Sequence, residues 1–279
     1  MFRPFTIKCR ETVITYRQPV VMAVLNATPD SFYGASRATT AESFLSAARR
    51  LVADGADIID IGAASSRPGA ALVSAEEEQR RLLPLLRLLR AEMPDMPVSI
   101  DTYNSETAIA CVDCGADIIN DISGGMFDPQ MLPTAARLQV PYVLMHTTAE
   151  PSAMQDATMS EGSDLIGQLA LYLSERLDKL YSMGATDVII DPGFGFGKTV
   201  QQNYYILNHL ESLGNLFKEP LLVGVSRKSM ITKVLQCSPE EALNGTTVVN
   251  TIALRQGAAI LRVHDPKPAQ EAIKLVGLL

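Results

Sequence analysis

The 279-residue sequence predicts an α/β fold, a closed (β/α)8 barrel, from three features. A short phrase occurs four times: Gly-Ala, a polar or small residue, an apolar run and a polar stop, beginning at Gly55, Gly115, Gly184 and Gly257. Glycine after a helix permits a left-handed turn that other residues resist. The apolar runs do not alternate with polar residues, which is typical of parallel strands covered on both faces. Finally, eight such strands alternate with helical segments, as in a barrel.

The predicted elements follow in order along the chain. The strands are residues 20–25, 57–61, 98–100, 117–120, 142–145, 187–190, 221–225 and 259–263. The segments with apolar residues three and four apart, typical of helices, are 42–53, 75–91, 105–114, 164–183 and 269–278. Before the first strand, residues 6–10 and 12–16 alternate as a β-hairpin does, and we expect this hairpin to close the bottom of the barrel. No linker or low-complexity tract interrupts the sequence, so residues 1–279 are expected to form a single domain.

Composition excludes several classes of partner. The chain has 24 Lys and Arg residues and 31 Asp and Glu residues, which gives a net charge of −7. This negative charge argues against binding to nucleic acid or to an anionic membrane. The sequence starts without the apolar core of a signal peptide, and no apolar stretch approaches the ~18–20 residues of a membrane span. Four cysteines are few for an oxidised scaffold. We therefore expect a cytoplasmic protein.

Polar side chains follow the predicted strands, at the end where parallel α/β folds bind their ligands. Carboxylates and amides come after strands two, three, four and six, and cationic groups come after strands seven and eight. The polar residues at the strand ends are Asn26, Asp60, Asp101, Asn120, Asp121, His146, Asp191, Ser226, Arg227, Lys228, Arg262 and His264. This separation predicts two neighbouring subsites.

The first predicted subsite is rich in hydrogen-bond acceptors. Asp101, Asn120 and Asp191 would form its floor, and Lys228 its rim. A flat heterocycle with an amidine-like edge offers two parallel N–H donors, which one carboxylate accepts together. The alternative is structural: each of these carboxylates pairs with a lysine or arginine in the barrel core.

The second predicted subsite binds an anion through Arg262, His264 and Asn26, with Arg67 as a further candidate. Arg262 and His264 are two residues apart on a strand, so their side chains point to the same side. For His146, at the end of another strand, a structural role is the commoner case.

A glycine-rich segment, residues 193–199, is close to a phosphate-binding P-loop. The P-loop requires a glycine where this chain has Pro192, so the spacing fails by one residue. The segment is better interpreted as a bend after the sixth strand that carries Phe194 toward a ligand.

Seven motifs in this order resemble those of the dihydropteroate synthases, pterin-binding enzymes of folate biosynthesis, over nearly the whole chain. The motifs are Asn26-Ala27-Thr28-Pro29-Asp30-Ser31-Phe32, Ser65-Ser66-Arg67-Pro68-Gly69, Ser99-Ile100-Asp101-Thr102, Asn120-Asp121-Ile122-Ser123-Gly124-Gly125, Asp191-Pro192-Gly193-Phe194-Gly195-Phe196-Gly197-Lys198, Ser226-Arg227-Lys228-Ser229 and Arg262-Val263-His264-Asp265.

The resemblance implies a transferase that joins 6-hydroxymethyl-7,8-dihydropterin diphosphate to p-aminobenzoate, with Mg2+ assisting. The products would be 7,8-dihydropteroate and pyrophosphate. The pterin carries the amidine-type edge inferred from the residues above. Enzymes of this family are usually homodimers and are targets of sulfonamides, which mimic p-aminobenzoate.

The resemblance also implies a role for each matching residue. Those that hold the pterin would be Asp101, Asn120, Asp191, Lys228, Met145 and Phe194. Those that hold the diphosphate would be Asn26, Arg262 and His264, of which Asn26 also places Mg2+. Those near p-aminobenzoate would be Ser66, Arg67, Pro68 and Ser226. The catalytic set would be Arg262, His264, Lys228, Asp101 and Asn26.

Three loops depart from the family pattern, and two alternatives remain open. Residues 33–36, 64–66 and 147–151 replace the usual Ser-Asp-Gly-Gly, Glu-Ser-Thr and Met-x-Gly-x-Pro. These changes permit a non-catalytic pteridine-binding paralogue. A pterin-dependent methyltransferase barrel would share the acidic floor, but should lack the Ser-Arg-Lys and Arg-x-His cations that this chain has.

Overall fold

The computed structural model describes residues 2–27, 37–63, 72–150, 158–159 and 164–279, and these residues form a parallel barrel preceded by a hairpin. The hairpin strands are β1 (Phe5–Cys9) and β2 (Thr12–Tyr16). The barrel strands are β3 (Val20–Asn26), β4 (Ile58–Gly62), β5 (Val98–Asp101), β6 (Ile118–Asp121), β7 (Tyr142–Met145), β8 (Val188–Asp191), β9 (Leu222–Val223) and β10 (Ile260–Val263).

The eight barrel strands form one sheet in the order β8-β7-β6-β5-β4-β3-β10-β9. Every neighbouring pair is parallel. A parallel bridge between Ile190 and Leu221 joins the two edges, β8 and β9. The sheet therefore closes on itself, and the predicted (β/α)8 barrel is confirmed.

Helices surround the barrel. In the part of the chain that the structure describes they are α1 (Arg37–Ala53), α2 (Ala75–Glu92), α3 (Ser105–Asp113), α4 (Met131–Leu138), α5 (Leu165–Ser182), α6 (Val200–Asn208), α7 (Leu210–Gly214), α8 (Ser229–Leu235), α9 (Leu243–Arg255) and α10 (Pro266–Val276). The five predicted helices correspond to α1, α2, α3, α5 and α10. Among the described residues, no helix has the length and apolar character needed to cross a membrane.

The hairpin closes the bottom of the barrel, as predicted. Ile7 and Cys9 of β1 are buried against apolar side chains at the lower ends of the barrel strands, including Val20, Ile58 and Ile260. Only alternate residues of β1 are buried in this way, because successive side chains of a strand point to opposite faces. The hairpin thus supplies an apolar plug at the pole opposite the carboxyl ends of the strands.

The repeated Gly-Ala phrase ends a helix and starts a strand at each of its four positions. Gly55, Gly115, Gly184 and Gly257 have φ angles of +97°, +100°, +92° and +94°, in the left-handed region that favours glycine. In three copies the following aspartate accepts a backbone N–H near the bottom of the barrel. These bonds join Asp57 to Val21, Asp117 to Val98 and Asp187 to Lys8, with distances of 2.8, 2.8 and 2.9 Å.

Strand alternation determines which side chains meet inside the barrel. The lower interior layer is apolar and includes Ile58 of β4, Ile118 of β6, Ile189 of β8 and Ile260 of β10. Two residues further along each strand, the side chain again points inward. Those positions are occupied by Asp60, Asn120, Asp191 and Arg262. A polar layer therefore lies directly above an apolar one, at the carboxyl ends of the strands.

Candidate functional site

The guanidinium of Arg262 binds two carboxylates inside the barrel. Its Nε donates to Oδ2 of Asp60 at 2.7 Å, and its Nη2 donates to Oδ2 of Asp101 at 2.7 Å. Asp60 is fully buried and Asp101 nearly so, whereas a fifth of the Arg262 side chain, 19%, remains exposed. Arg262 therefore connects the barrel interior with the mouth.

Burial and neighbouring charges determine the ionisation of Asp101 and Arg262. Burial raises the pKa of Asp101 to about 7; Arg262 opposes the shift, and the carboxylate of Asp60 adds to it. Burial alone would lower the pKa of Arg262, but Asp60 and Asp101 raise it above its usual range. The guanidinium therefore keeps its charge, while Asp101 can exchange a proton near neutral pH.

Asn120 and Asp191 extend this polar layer. Nδ2 of Asn120 donates to Oδ2 of Asp60 at 3.1 Å. Asp191 is buried, and its Oδ1 accepts the backbone N–H of Gly193 at 2.7 Å. Burial raises the pKa of Asp191, and the nearby Lys228 ammonium opposes the shift most strongly.

Lys228 follows β9, and its Nζ donates to the carbonyl oxygen of Phe194 at 2.5 Å. Desolvation lowers the pKa of its ammonium to about 8, with Asp191 opposing this shift and Arg262 adding to it. Its Nζ lies 4.6 Å from the centroid of the Phe196 ring, within the range of a cation–π contact. The position of Lys228 at the rim of the acceptor pocket stays a prediction.

The two phenylalanines of the glycine-rich turn lie in different places. Phe194 was expected to line the ligand pocket, but its ring is fully buried in the core between the barrel and the helices, with Ile206 and Met230. Phe196 packs instead with Met145, Tyr103 and Ile122. The expectation for Phe194 is therefore corrected: Phe196, two residues later, is an aromatic side chain next to Lys228.

Three further predicted residues, Ser226, His264 and Asn26, lie at the same end of the barrel. Ser226 Oγ is 3.0 Å from Nδ1 of His264, and it accepts the backbone N–H of His264 at 3.3 Å. Asn26 is exposed at the end of β3. Strand register places Asn26, Gly62, Asp101 and Asn120 in one row across four neighbouring strands. Ser66, Arg67 and Pro68 lie outside the described residues.

The structure joins what the sequence divides into two subsites. Arg262, expected to bind an anion, also neutralises Asp101, expected to bind a heterocycle. The structural alternative, in which a carboxylate pairs with an arginine, therefore applies to Asp101. For Asp191 the nearby cation is Lys228. Asp60 is one of the predicted strand-end residues, but no role in the site was predicted for it. Its inward position in β4 is the signal that could have predicted such a role. The structure places Asp60 in contact with both Arg262 and Asn120.

The ligands for a metal ion are few. Among the described residues, no three His, Cys, Asp or Glu side chains form a cluster that could hold a metal. Asn26 offers an amide oxygen at the exposed end of β3. Mg2+ commonly binds through one or two protein oxygens together with substrate phosphates and water. The residues present therefore fit a Mg2+ ion that is held largely by a phosphorylated substrate.

Comparisons with known proteins agree with this geometry. Residues 22–264 match the family model described as "Pterin binding enzyme". The chain is 41% identical over 266 residues to a dihydropteroate synthase of Synechocystis, covering 94% of this chain and 91% of that protein.

Solved structures give the same result. A dihydropteroate synthase of Yersinia pestis, in a sulfonamide drug complex, superposes with a TM-score of 0.90 at 36% identity, over 98% of each chain. One of Xanthomonas albilineans with 4-aminobenzoic acid has a TM-score of 0.89 at 35% identity, over 99% of this chain and 98% of that one.

The raised pKa of Asp101 can be measured directly. In 13C NMR spectra of the carboxyl groups, we expect a side chain that titrates at about 7 and whose signal is lost in Asp101→Asn. Because the native state then holds a proton that the unfolded state has released, this group's contribution to stability falls as pH rises from about 4 to about 7. Titration of Asp101 near the ordinary value of about 4 would contradict this account of its burial.

Proposed function

The chain belongs to the dihydropteroate synthase family of pterin-binding enzymes, and we propose how its residues share the work of the reaction. The enzyme joins 6-hydroxymethyl-7,8-dihydropterin diphosphate to p-aminobenzoate and releases 7,8-dihydropteroate and pyrophosphate. The observation that carries this function is the convergence of three acceptor side chains and two cations at one end of the barrel. The acceptors are Asp101, Asn120 and Asp191, and the cations are Lys228 and Arg262.

The acceptor side chains suit the pterin. Its amidine edge presents parallel N–H donors, and Asp191 is a buried carboxylate that can accept two of them. Asn120 and Asp101 offer further polar atoms in the same layer. Lys228 can donate to the ring carbonyl from the rim, with Met145 and Phe196 packing against the ring faces.

The cations suit the diphosphate. Arg262 uses Nε and Nη2 for the two carboxylates, and among the described residues its Nη1 has no hydrogen-bond partner. That nitrogen is free to donate to a diphosphate oxygen. His264 and Asn26 lie at the same end of the barrel and supply further polar atoms.

We propose a dissociative reaction. The bond between the pterin methylene and the diphosphate oxygen breaks first, and its electron pair leaves with pyrophosphate. Arg262, His264 and Asn26 stabilise the negative charge that builds on the leaving group. The electron-rich pterin, with the Asp101 carboxylate close by, stabilises the methylene cation. The amine of p-aminobenzoate then forms the new C–N bond and loses its proton to the released pyrophosphate, while enclosure of the site excludes water as a competing nucleophile.

Mg2+ and p-aminobenzoate complete the proposal. A Mg2+ ion held by the diphosphate and by Asn26 would neutralise charge on the leaving group. Ser226 lies near the expected carboxylate of p-aminobenzoate, and Ser66, Arg67 and Pro68 would enclose this substrate. A sulfonamide would compete for the same place, in keeping with the sulfonamide complex of the Yersinia pestis relative.

Pyrophosphate release tests these roles. With pterin diphosphate, p-aminobenzoate and Mg2+, we expect the enzyme to release pyrophosphate in a manner that depends on p-aminobenzoate. Arg262→Ala should lower the single-turnover rate by about 100-fold or more, because a charge that stabilises the leaving group is lost. Arg87→Ala removes an exposed arginine of α2 and serves as the matched control, with no expected change.

Arg262→Ala also leaves two buried carboxylates without their partner, so Arg262→Lys is measured beside it. Lysine keeps the charge but loses the planar fork, and an intermediate rate is expected. An unchanged release rate in folded Arg262→Ala would contradict the proposed role of Arg262. Tight pteridine binding without turnover by the wild-type protein would instead indicate a pteridine-binding paralogue.

We propose that the enzyme works as a homodimer in the cytoplasm. All four cysteines are free thiols, which suits a reducing compartment. The neighbouring helices α6, α8 and α9 together expose an apolar patch, which is typical of a protein interface. Its members are Tyr205, Val234, Leu235, Leu243, Val248 and Ile252.

Sedimentation tests this assembly. The mass of the wild-type protein from sedimentation should be twice the 30.2 kDa of one chain. Val248→Asp should shift it toward monomer, because a charge would be buried in the interface. Leu171→Asp, on the exposed side of α5, is the matched control and should leave the dimer intact. A wild-type protein that sediments as a monomer at micromolar concentration would rule out the dimer.

A further inference from the structure

Lys198 is buried behind the glycine-rich turn, residues 193–197, and the roles assigned above do not include it. Its Nζ donates to the carbonyl oxygens of Gly193 at 2.9 Å and Phe196 at 3.0 Å. The same Nζ lies 2.9 Å from Nδ1 of His146. An ammonium has three N–H donors, and these three acceptors use all of them. Among the described residues, Lys198 therefore directs its donors at protein atoms, and the carbonyl oxygen of His146, 3.5 Å from Nζ, is a fourth neighbour.

His146 acts as an acceptor for this lysine. Burial and the adjacent charge of Lys198 lower the pKa of His146 to about 2, so its ring is neutral. Burial lowers the pKa of Lys198 to about 7. In its ammonium form Lys198 can only donate, and Nδ1 of His146 then accepts while Nε2 carries the proton. The structural role expected for His146 is therefore specific: it is one of three groups that hold Lys198.

The turn around Lys198 is tightly constrained. Gly193 and Gly197 have φ angles of +71° and +60°, and a Cβ at Gly193 would lie only 1.9 Å from the carbonyl oxygen of His146. The turn therefore presses against the segment that follows β7. In this conformation the carbonyls of Gly193 and Phe196 both point at the ammonium of Lys198.

The turn connects Lys198 to the site. The backbone N–H of Gly193 binds Oδ1 of Asp191 at 2.7 Å, while its carbonyl binds Lys198. Phe196, whose carbonyl also binds Lys198, places its ring 4.6 Å from the Lys228 ammonium. One buried cation thus holds the two residues that lead to the acceptor floor and to the aromatic wall of the mouth.

We propose that Lys198 is a positioning residue of the pterin site, which fixes the Asp191 carboxylate and the Phe196 ring by holding the carbonyls of Gly193 and Phe196. This inference rests on the proposed role of Asp191 in binding the pterin. It also explains why a lysine follows the glycines although the segment is not a P-loop: the ammonium binds the backbone of its own turn instead of a phosphate.

A double-mutant cycle tests this role. The affinity for 6-hydroxymethyl-7,8-dihydropterin is measured by calorimetry for the wild type, Lys198→Met, Asp191→Asn and the double variant. Lys198→Met should weaken pterin binding by about 10-fold, which is the effect of losing a residue that orients a ligand-binding side chain in metal sites. In the Asp191→Asn background the same change should cost no more than about twofold, because the two residues act through one contact.

Steady-state kinetics separate positioning from a general loss of structure. In Lys198→Met we expect the KM for the pterin diphosphate to rise and that for p-aminobenzoate to stay unchanged. A folding defect would instead lower kcat and leave both KM values unchanged. Lys274→Met removes an exposed lysine of α10 and is the matched control. If Lys198→Met does not fold, Lys198→Gln, which keeps two donors without the charge, enters the same cycle with a smaller expected loss.

The outcomes distinguish this inference from the proposed function. If Asp191→Asn weakens binding while Lys198→Met has no effect or an additive one, Lys198 is not a positioning residue and the function stands. If Asp191→Asn leaves the affinity unchanged, the role of Asp191 in pterin binding fails, and the inference about Lys198 fails with it.

Discussion

The site depends on the ionic contact of Arg262 with Asp60 and Asp101 inside the barrel. Each of these charges would be costly alone at that depth, and removal of one partner of such a group typically costs about 3–5 kcal/mol. Together they form a fixed unit that joins β4, β5 and β10. The same unit explains why a site with a floor of carboxylates can bind an anionic substrate. Arg262 offsets the charge of one acid, burial raises the pKa of Asp101 to about 7, and Lys228 offsets the charge of Asp191.

The rest of the barrel holds this unit in place. The hairpin closes the lower pole, where aspartates of the repeated phrase bind backbone N–H groups. Apolar side chains fill the interior above it. At the mouth, the turn after β8 is shaped by glycines that lie against the segment after β7. The rigid lower barrel and the tightly folded upper turn thus give the polar layer little freedom to rearrange, which suits a site that stabilises charge by preorganisation.

Strand order, barrel closure and the hairpin could be predicted from the sequence, because apolar runs, Gly-Ala turns and period-two alternation are local patterns. Helices such as α9 are harder to predict from the sequence. Leu243–Arg255 is rich in Thr, Asn and Val and contains Gly245, and all four residue types favour helices only weakly. Packing of α9 on its neighbours decides its conformation. Convergence of the polar residues followed from their places after the strands. Their pairing did not follow, because the contact of Arg262 with Asp60 spans 202 positions and depends on strand register. Phe194 and Phe196 are two residues apart, and only the left-handed glycine turns determine which ring enters the core.

The central claim is that Arg262 serves the carboxylates and the leaving group at the same time. A crystal structure of the enzyme with 6-hydroxymethyl-7,8-dihydropterin and pyrophosphate tests it most directly. The account predicts that Arg262 keeps its contacts with Asp60 and Asp101 while Nη1 binds a pyrophosphate oxygen, and that the pterin ring lies against Asp191 and Asn120. A structure in which Arg262 leaves both carboxylates to reach pyrophosphate, or in which the anion binds away from Arg262, would contradict it.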